Sequence, residues 1–141
     1  MPFKINISEK GKAWKFETES DSLAGKSIGD TVDGKLIKPE LEGYQLKITG
    51  GSDASGFPLS KDAEGLGLKK VLLTRGWGMN EKGKGLRKRK TVRGKIISNT
   101  TAQININVLK SSKKSLAEVF PDQNKAKEIA TEVPKEEAKK E

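Results

Sequence analysis

Residues 102–108, AQININV, decide how this chain is read: Ala102, Ile104, Ile106 and Val108 fall at every second position, with Gln103, Asn105 and Asn107 between them. Successive side chains of a strand point to opposite faces, so this period predicts a strand with one buried and one solvated side. The same alternation recurs on either side of it. Tyr44, Leu46 and Ile48 run into Gly50 and Gly51, which are expected to end their strand. Phe3, Ile5 and Ile7, followed across Gly11 by Trp14 and Phe16, read as a β-hairpin over residues 3–18. Residues 69–75, KKVLLTR, give a strand with Val71 and Leu73 on one face, and Val92, Ile96 and Ile97 mark another. Ser98, Asn99 and Thr100 are the expected turn between this last strand and the one at 102–108.

The intervening segments are turn-formers. GKSIGDTVDG (25–34) reads as loop with Ile28 and Val32 as anchors, and GGSDASGFP (50–58) as a loop closing on Phe57 and Pro58. Short strands, glycine turns and little helix predict a mainly β fold, a small β-barrel-like domain over residues 1–109. The composition changes near residue 110. Ser115 and Glu118 have the spacing of a capping box, predicting a short helical segment through Phe120 that stops before Pro121. Asp122 is placed to cap a second weak helix reaching Glu132, and the Lys/Glu tail after Pro134 is expected to be disordered. Residues 110–141 are thus read as a short helical and polar tail.

The chain has 141 residues with 28 Lys+Arg against 19 Asp+Glu, a net charge of +9, and neither His nor Cys. Without Cys there is no disulfide framework, zinc ribbon or thiol nucleophile. Without His there is no Ser-His-Asp triad and no imidazole base. The first residues, MPFKINISEKGKAWKF, lack the apolar run of a signal peptide, and no window approaches the roughly 18 apolar residues of a membrane span. A soluble, cytoplasmic protein is expected, with no membrane partner, no small-molecule substrate and no cofactor.

The charge is local. Residues 61–100 hold 12 basic and 3 acidic side chains, while the segments before and after them are nearly neutral. Lys82, Lys84, Arg87, Lys88, Arg89, Lys90, Arg93 and Lys95 lie in 14 residues that contain no acid. So dense a run repels itself unless it is extended, solvated or matched to a polyanion. We read residues 79–95 as an extended basic loop punctuated by glycine. Each Lys or Arg that neutralises a phosphate releases a counterion, and Arg adds bidentate phosphate pairing and base stacking. Arg75 and Trp77 adjoin the run. Trp77, between Gly76 and Gly78, suits either stacking on an unpaired base or a core position at a strand end. Composition alone indicates nucleic acid without saying which; a modest preference for RNA follows from the β-rich, loop-borne basic surface.

Two enzymatic readings compete and lose. Gly78 to Lys84 has the spacing of a phosphate loop, yet Gly85 stands where Ser or Thr should hold magnesium, and no capped helix follows. Asp30, Asp33 and Asp53 offer carboxylates, but all three lie in Gly-rich turns, where Asp bonds to nearby backbone N–H groups.

Three segments carry a family resemblance: EGYQLKITGGSDASGFP (42–58), RKRKTVRG (87–94) and QININVLK (103–110). In order and spacing they resemble the sixth small-subunit ribosomal protein of archaea and eukaryotes, a family unrelated to the bacterial protein of that number. The resemblance covers most of residues 1–110. It implies a small β-barrel body that binds small-subunit ribosomal RNA, neighbouring small-subunit ribosomal proteins as further partners, and no catalytic activity. It also implies RNA contacts at Arg87, Lys88, Arg89, Lys90 and Arg93, and a shaped turn near RNA at Gly50–Pro58. Charge alone adds Lys82 and Lys84. The long basic helix and Ser cluster of the eukaryotic members have no counterpart here, so the chain resembles the short archaeal form. Sequence chemistry leaves one alternative open, a free-standing RNA-binding accessory factor of translation or ribosome assembly.

Overall fold

A computed structural model describes residues 2–123. Seven strands form one five-stranded sheet and one two-stranded sheet. They are β1 (Phe3–Glu9), β2 (Lys12–Thr18), β3 (Thr31–Asp33), β4 (Gln45–Asp53), β5 (Leu68–Leu73), β6 (Lys88–Arg93) and β7 (Thr101–Lys110). Two one-turn helices, α1 (Gly34–Ile37) and α2 (Leu116–Val119), and two short 3-10 turns are the other named elements among the described residues, and residues 121–123 are helical. The large sheet runs β2-β1-β7-β4-β3, and β5 and β6 pair only with each other. The class is mainly β, as expected, but the strands do not close into a barrel.

The hairpin β1–β2 is antiparallel with Glu9 opposite Lys12. Its two-residue turn has positive φ at both Lys10 (47°) and Gly11 (79°), the geometry whose twist matches the flanking strands. β7 sits at the centre, parallel to β1 and antiparallel to β4. The alternation read from residues 102–108 is realised: Ile104 and Ile106 are buried against Ile5, Ile7, Leu46 and Ile48, while Asn105 and Asn107 face outward. Burying a side chain of this size stabilises by roughly 1.5–3 kcal/mol, so these six account for much of the core.

Four expectations are corrected. Gly50 and Gly51 do not end β4; the strand continues to Asp53 through shifts of register between Ile48 and Gly50 and between Ser52 and Asp53. Gly51 is required there by space, because a Cβ would come within 2.3 Å of the Gln103 carbonyl oxygen. Ile96 and Ile97 do not extend the strand of Val92, which stops at Arg93; a single bridge joins Ile96 to Ser27. The turn at Ser98 forms, with Thr101 N–H donating to Ser98 O at 3.0 Å, but it joins two strands that belong to different sheets. Thr31–Asp33, read only as loop, pairs with β4, which is how Val32 becomes buried.

The helical segment after residue 110 forms, with Ser115 at its N-cap position, though the side-chain cap is not made. Leu116 and Phe120 are buried in the same core as the sheet. Phe120 stacks on Phe16 at 5.4 Å between centroids, and Lys38 Nζ lies 4.9 Å over its ring. The Tyr44 hydroxyl donates to the Lys114 carbonyl. Burial, aided by the charges of Glu9 and Glu118, raises the Tyr44 pKa above its usual value. The change in composition near residue 110 is therefore not a packing boundary. The helix reaching Glu132 and the tail after Pro134 lie outside the described residues.

Candidate nucleic-acid interface

The second half of the basic run is a strand, where an extended loop over 79–95 was expected. β5 supplies a partner, and β-branched Thr91 and Val92 suit the pleat. Alternation lets neighbouring cations point to opposite sides, which lowers their mutual repulsion without removing it. The register sets Leu73 opposite Lys88, Leu72 opposite Arg89, Val71 opposite Lys90, Lys70 opposite Thr91 and Lys69 opposite Val92. Residues directly opposed share a face. One face therefore carries Lys69, Lys88 and Lys90 around half-buried Val71 and Leu73 and buried Val92. The other carries Lys70 and Arg89 beside exposed Leu68 and Leu72. The hairpin thus presents cations on both sides.

The segment joining these strands adds Arg75, Lys82, Lys84 and Arg87, all exposed. Two of the strand cations have local partners. The Lys88 ammonium bonds to the Glu81 carboxylate, and Lys90 Nζ donates to the Gly78 carbonyl at 3.3 Å. The hydrogen bond from Lys88 holds the Glu81 carboxyl below its ordinary pKa. A phosphate arriving at Lys88 must displace Glu81.

Arg93 stands apart from this set. Its Nε donates to Asp53 Oδ2 at 2.8 Å and its Nη1 to the Leu66 carbonyl at 3.1 Å, with the two charged side chains 15% and 1% exposed. Asp53 also accepts from the Phe57 N–H at 2.8 Å through Oδ1. Burial pushes the Asp53 carboxyl up, but the Arg93 and Phe57 hydrogen bonds, the Arg93 charge and the backbone of Ser55 outweigh it and hold the group below its ordinary value. Arg93 and Asp53 thereby fasten the base of the hairpin to the end of β4. Lys95 lies at the same joint, half-buried, its backbone N–H bonded to Ala63 O and its carbonyl to the Ile28 N–H.

Trp77 is 55% exposed, which removes the core alternative. The turn that carries it is closed by Met79 N–H donating to Gly76 O at 3.1 Å, and Met79 takes the buried place instead. Lys69 and Lys70 join the cationic cluster, which the sequence reading had not included. Their only signal is pairing: the strand pattern at 69–75 is legible, but not that β6 lies beside it.

Two of the three carboxylates considered for catalysis have structural bonds, while Asp33 stands at the N-cap of α1 without a side-chain cap bond. Asp30 Oδ2 accepts the Ser27 N–H at 2.8 Å within its turn, and Asp53 is consumed by Arg93 and Phe57. Residues 85–87, after the phosphate-loop spacing, lead into β6 and not into a helix. Among the described residues no helix is long and apolar enough to cross a membrane.

What this arrangement can do chemically is hold a polyanion: a cationic hairpin, fastened by one buried ion pair to a neutral β body. That is the class of protein that docks on nucleic acid. The comparisons give the particular family. The model of ribosomal protein S6e matches residues 1–121. A small ribosomal subunit protein eS6 from Methanococcus maripaludis is 50% identical over 111 residues, covering 77% of this chain and 88% of its own. The eS6 proteins of Methanocaldococcus jannaschii and Archaeoglobus fulgidus are each 42% identical, over 118 and 125 residues; the matches cover 84% and 85% of this chain, and 88% and 96% of the relatives. The chain belongs to the ribosomal protein S6e family.

Proposed function

We propose that this protein is a structural constituent of the small ribosomal subunit and that it holds small-subunit ribosomal RNA through the β5–β6 hairpin and its connecting segment. The observation that carries the RNA contact is the gathering of Arg75, Lys82, Lys84, Arg87, Lys88, Arg89 and Lys90, joined by Lys69 and Lys70, on one hairpin. Family membership supplies the particle, since the relatives are named as small-subunit proteins. The family is structural and not enzymatic. In this reading the hairpin neutralises phosphates where RNA segments pack closely, the five-stranded body sets its direction, and neighbouring small-subunit proteins touch the rest of the surface in the cytoplasmic ribosome. Arg93 acts on RNA only through the hairpin it anchors.

The test is sedimentation of the full chain with small ribosomal subunits lacking their own copy, at moderate salt. Movement of the protein with the subunit peak is the expected result. Protein remaining at the top of the gradient would mean a free-standing RNA-binding factor instead.

A further inference from the structure

Beside the charged hairpin lies a cleft of about 630 Å³ that phosphate neutralisation does not use. Thr49, Gly50, Gly51 and Asn105 of β4 and β7, the Pro58–Asp62 segment, Ile28 and Trp77 line it. We propose that this cleft receives a single unpaired nucleotide of the bound RNA, with its base stacked on Trp77. This rests on the RNA-binding reading and adds what part of the RNA is recognised.

Four observations carry it. An indole more than half exposed at the wall of a cleft is a stacking platform, and stacking needs only the π-face every base has. The cleft has a bare stretch of backbone at Gly50, where even an added Cβ would meet nothing within 4 Å, so a flat ring can approach. Polar groups converge there with donor capacity. The Asn105 Oδ1 accepts from both Asn6 Nδ2 at 3.1 Å and Gln103 Nε2 at 3.0 Å, which fixes the amide and leaves its own Nδ2 hydrogens for a ligand. Thr49 donates to the Asn105 carbonyl at 3.0 Å, leaving its oxygen lone pairs as acceptors. Finally, Lys61 at the cleft and the cationic hairpin beyond Trp77 offer partners for phosphates on either side of the nucleotide. A paired duplex presents no base that could enter such a cleft.

Two RNA hairpins test this, identical except that one carries a single bulged adenosine in its stem. With the full chain, the bulged RNA should bind about tenfold more tightly and should alone quench the exposed tryptophan. Trp77→Phe should keep the preference and lose the quench, because the other tryptophan, Trp14, is buried. Trp77→Ser should remove the preference, and Gly50→Val, which fills the cleft without touching a cation, should do the same while duplex binding stays. Equal binding of both RNAs with no quench overturns the cleft and leaves the hairpin interface standing. If neither RNA binds at micromolar protein, both readings fall.

Discussion

Two arginines four residues apart on β6 do opposite work. Arg93, at the base of the hairpin, is turned inward to Asp53 and Leu66, whereas Arg89 faces solvent beside Leu72. The contrast extends to the regions they belong to. The five-stranded sheet is held by buried Ile, Leu and Phe side chains and carries little net charge; the two-stranded hairpin buries little beyond Val92 and carries most of the basic excess. An isolated pair of strands is marginal in water, and this one is more so for its charge. Its direction depends on the joint at Arg93, Asp53 and Lys95. One residue type thus serves stability at the joint and, in the proposed reading, binding at the tip.

The widest separation between these roles is expected from charge removal. Replacing Arg87, Lys88, Arg89 and Lys90 together by Gln should lower affinity for a small-subunit RNA fragment by two orders of magnitude or more at physiological salt, with the thermal midpoint nearly unchanged. A matching fall in thermal midpoint would show that the run also holds the fold. At the joint the pattern should reverse. Arg93→Ala leaves Asp53 buried without its partner and should cost about 3 kcal/mol in chemical denaturation. RNA affinity per folded molecule should fall far less than in the fourfold variant. Gly51→Ala is expected to destabilise by about 3 kcal/mol, since its Cβ meets the Gln103 backbone.

The joint also predicts an acid response. The Asp53 carboxyl is held below its ordinary value of 3.8 in the folded protein, so the unfolded chain binds the proton more readily. The ion pair's contribution is fully present above pH 5 and is lost as the pH falls through 4 and below the folded-state value. Asp53→Asn should flatten that part of the stability curve. A parallel decline in the Asn variant would place the acid sensitivity elsewhere. The smallest effect is at Glu81. Glu81→Gln releases Lys88 and should tighten RNA binding two- to threefold without changing stability.

The sequence made some of this contrast legible and hid the rest for physical reasons. Burial of alternate residues left a clear period in Phe3–Ile7, Tyr44–Ile48 and Ala102–Val108, and these strands formed. Continuation of β4 through Gly50 and Gly51 was hidden because the requirement comes from a neighbour, the Gln103 carbonyl, and not from local preference. Apart from Val92, the strand character of Lys88–Arg93 was masked because its exposed residues, Lys88 and Arg89, are cations, which resemble a solvated loop when the partner strand is unknown. The basic run was visible as a concentration of charge, but Arg93 looked like its neighbours. Its distinct role depends on Asp53, 40 positions away. The placement of Lys69 and Lys70 was hidden for the same reason: strand pairing, not local sequence, brings them beside the basic run.

The most direct test is the salt dependence of binding to a small-subunit RNA fragment, measured for the natural chain and the fourfold Gln variant. With about six phosphates engaged, log K should fall with log salt at a slope of roughly −4 to −5 for the natural chain, and at roughly −1 to −2 once four cations are gone. Equal slopes for the two proteins would contradict the hairpin as the phosphate-binding surface.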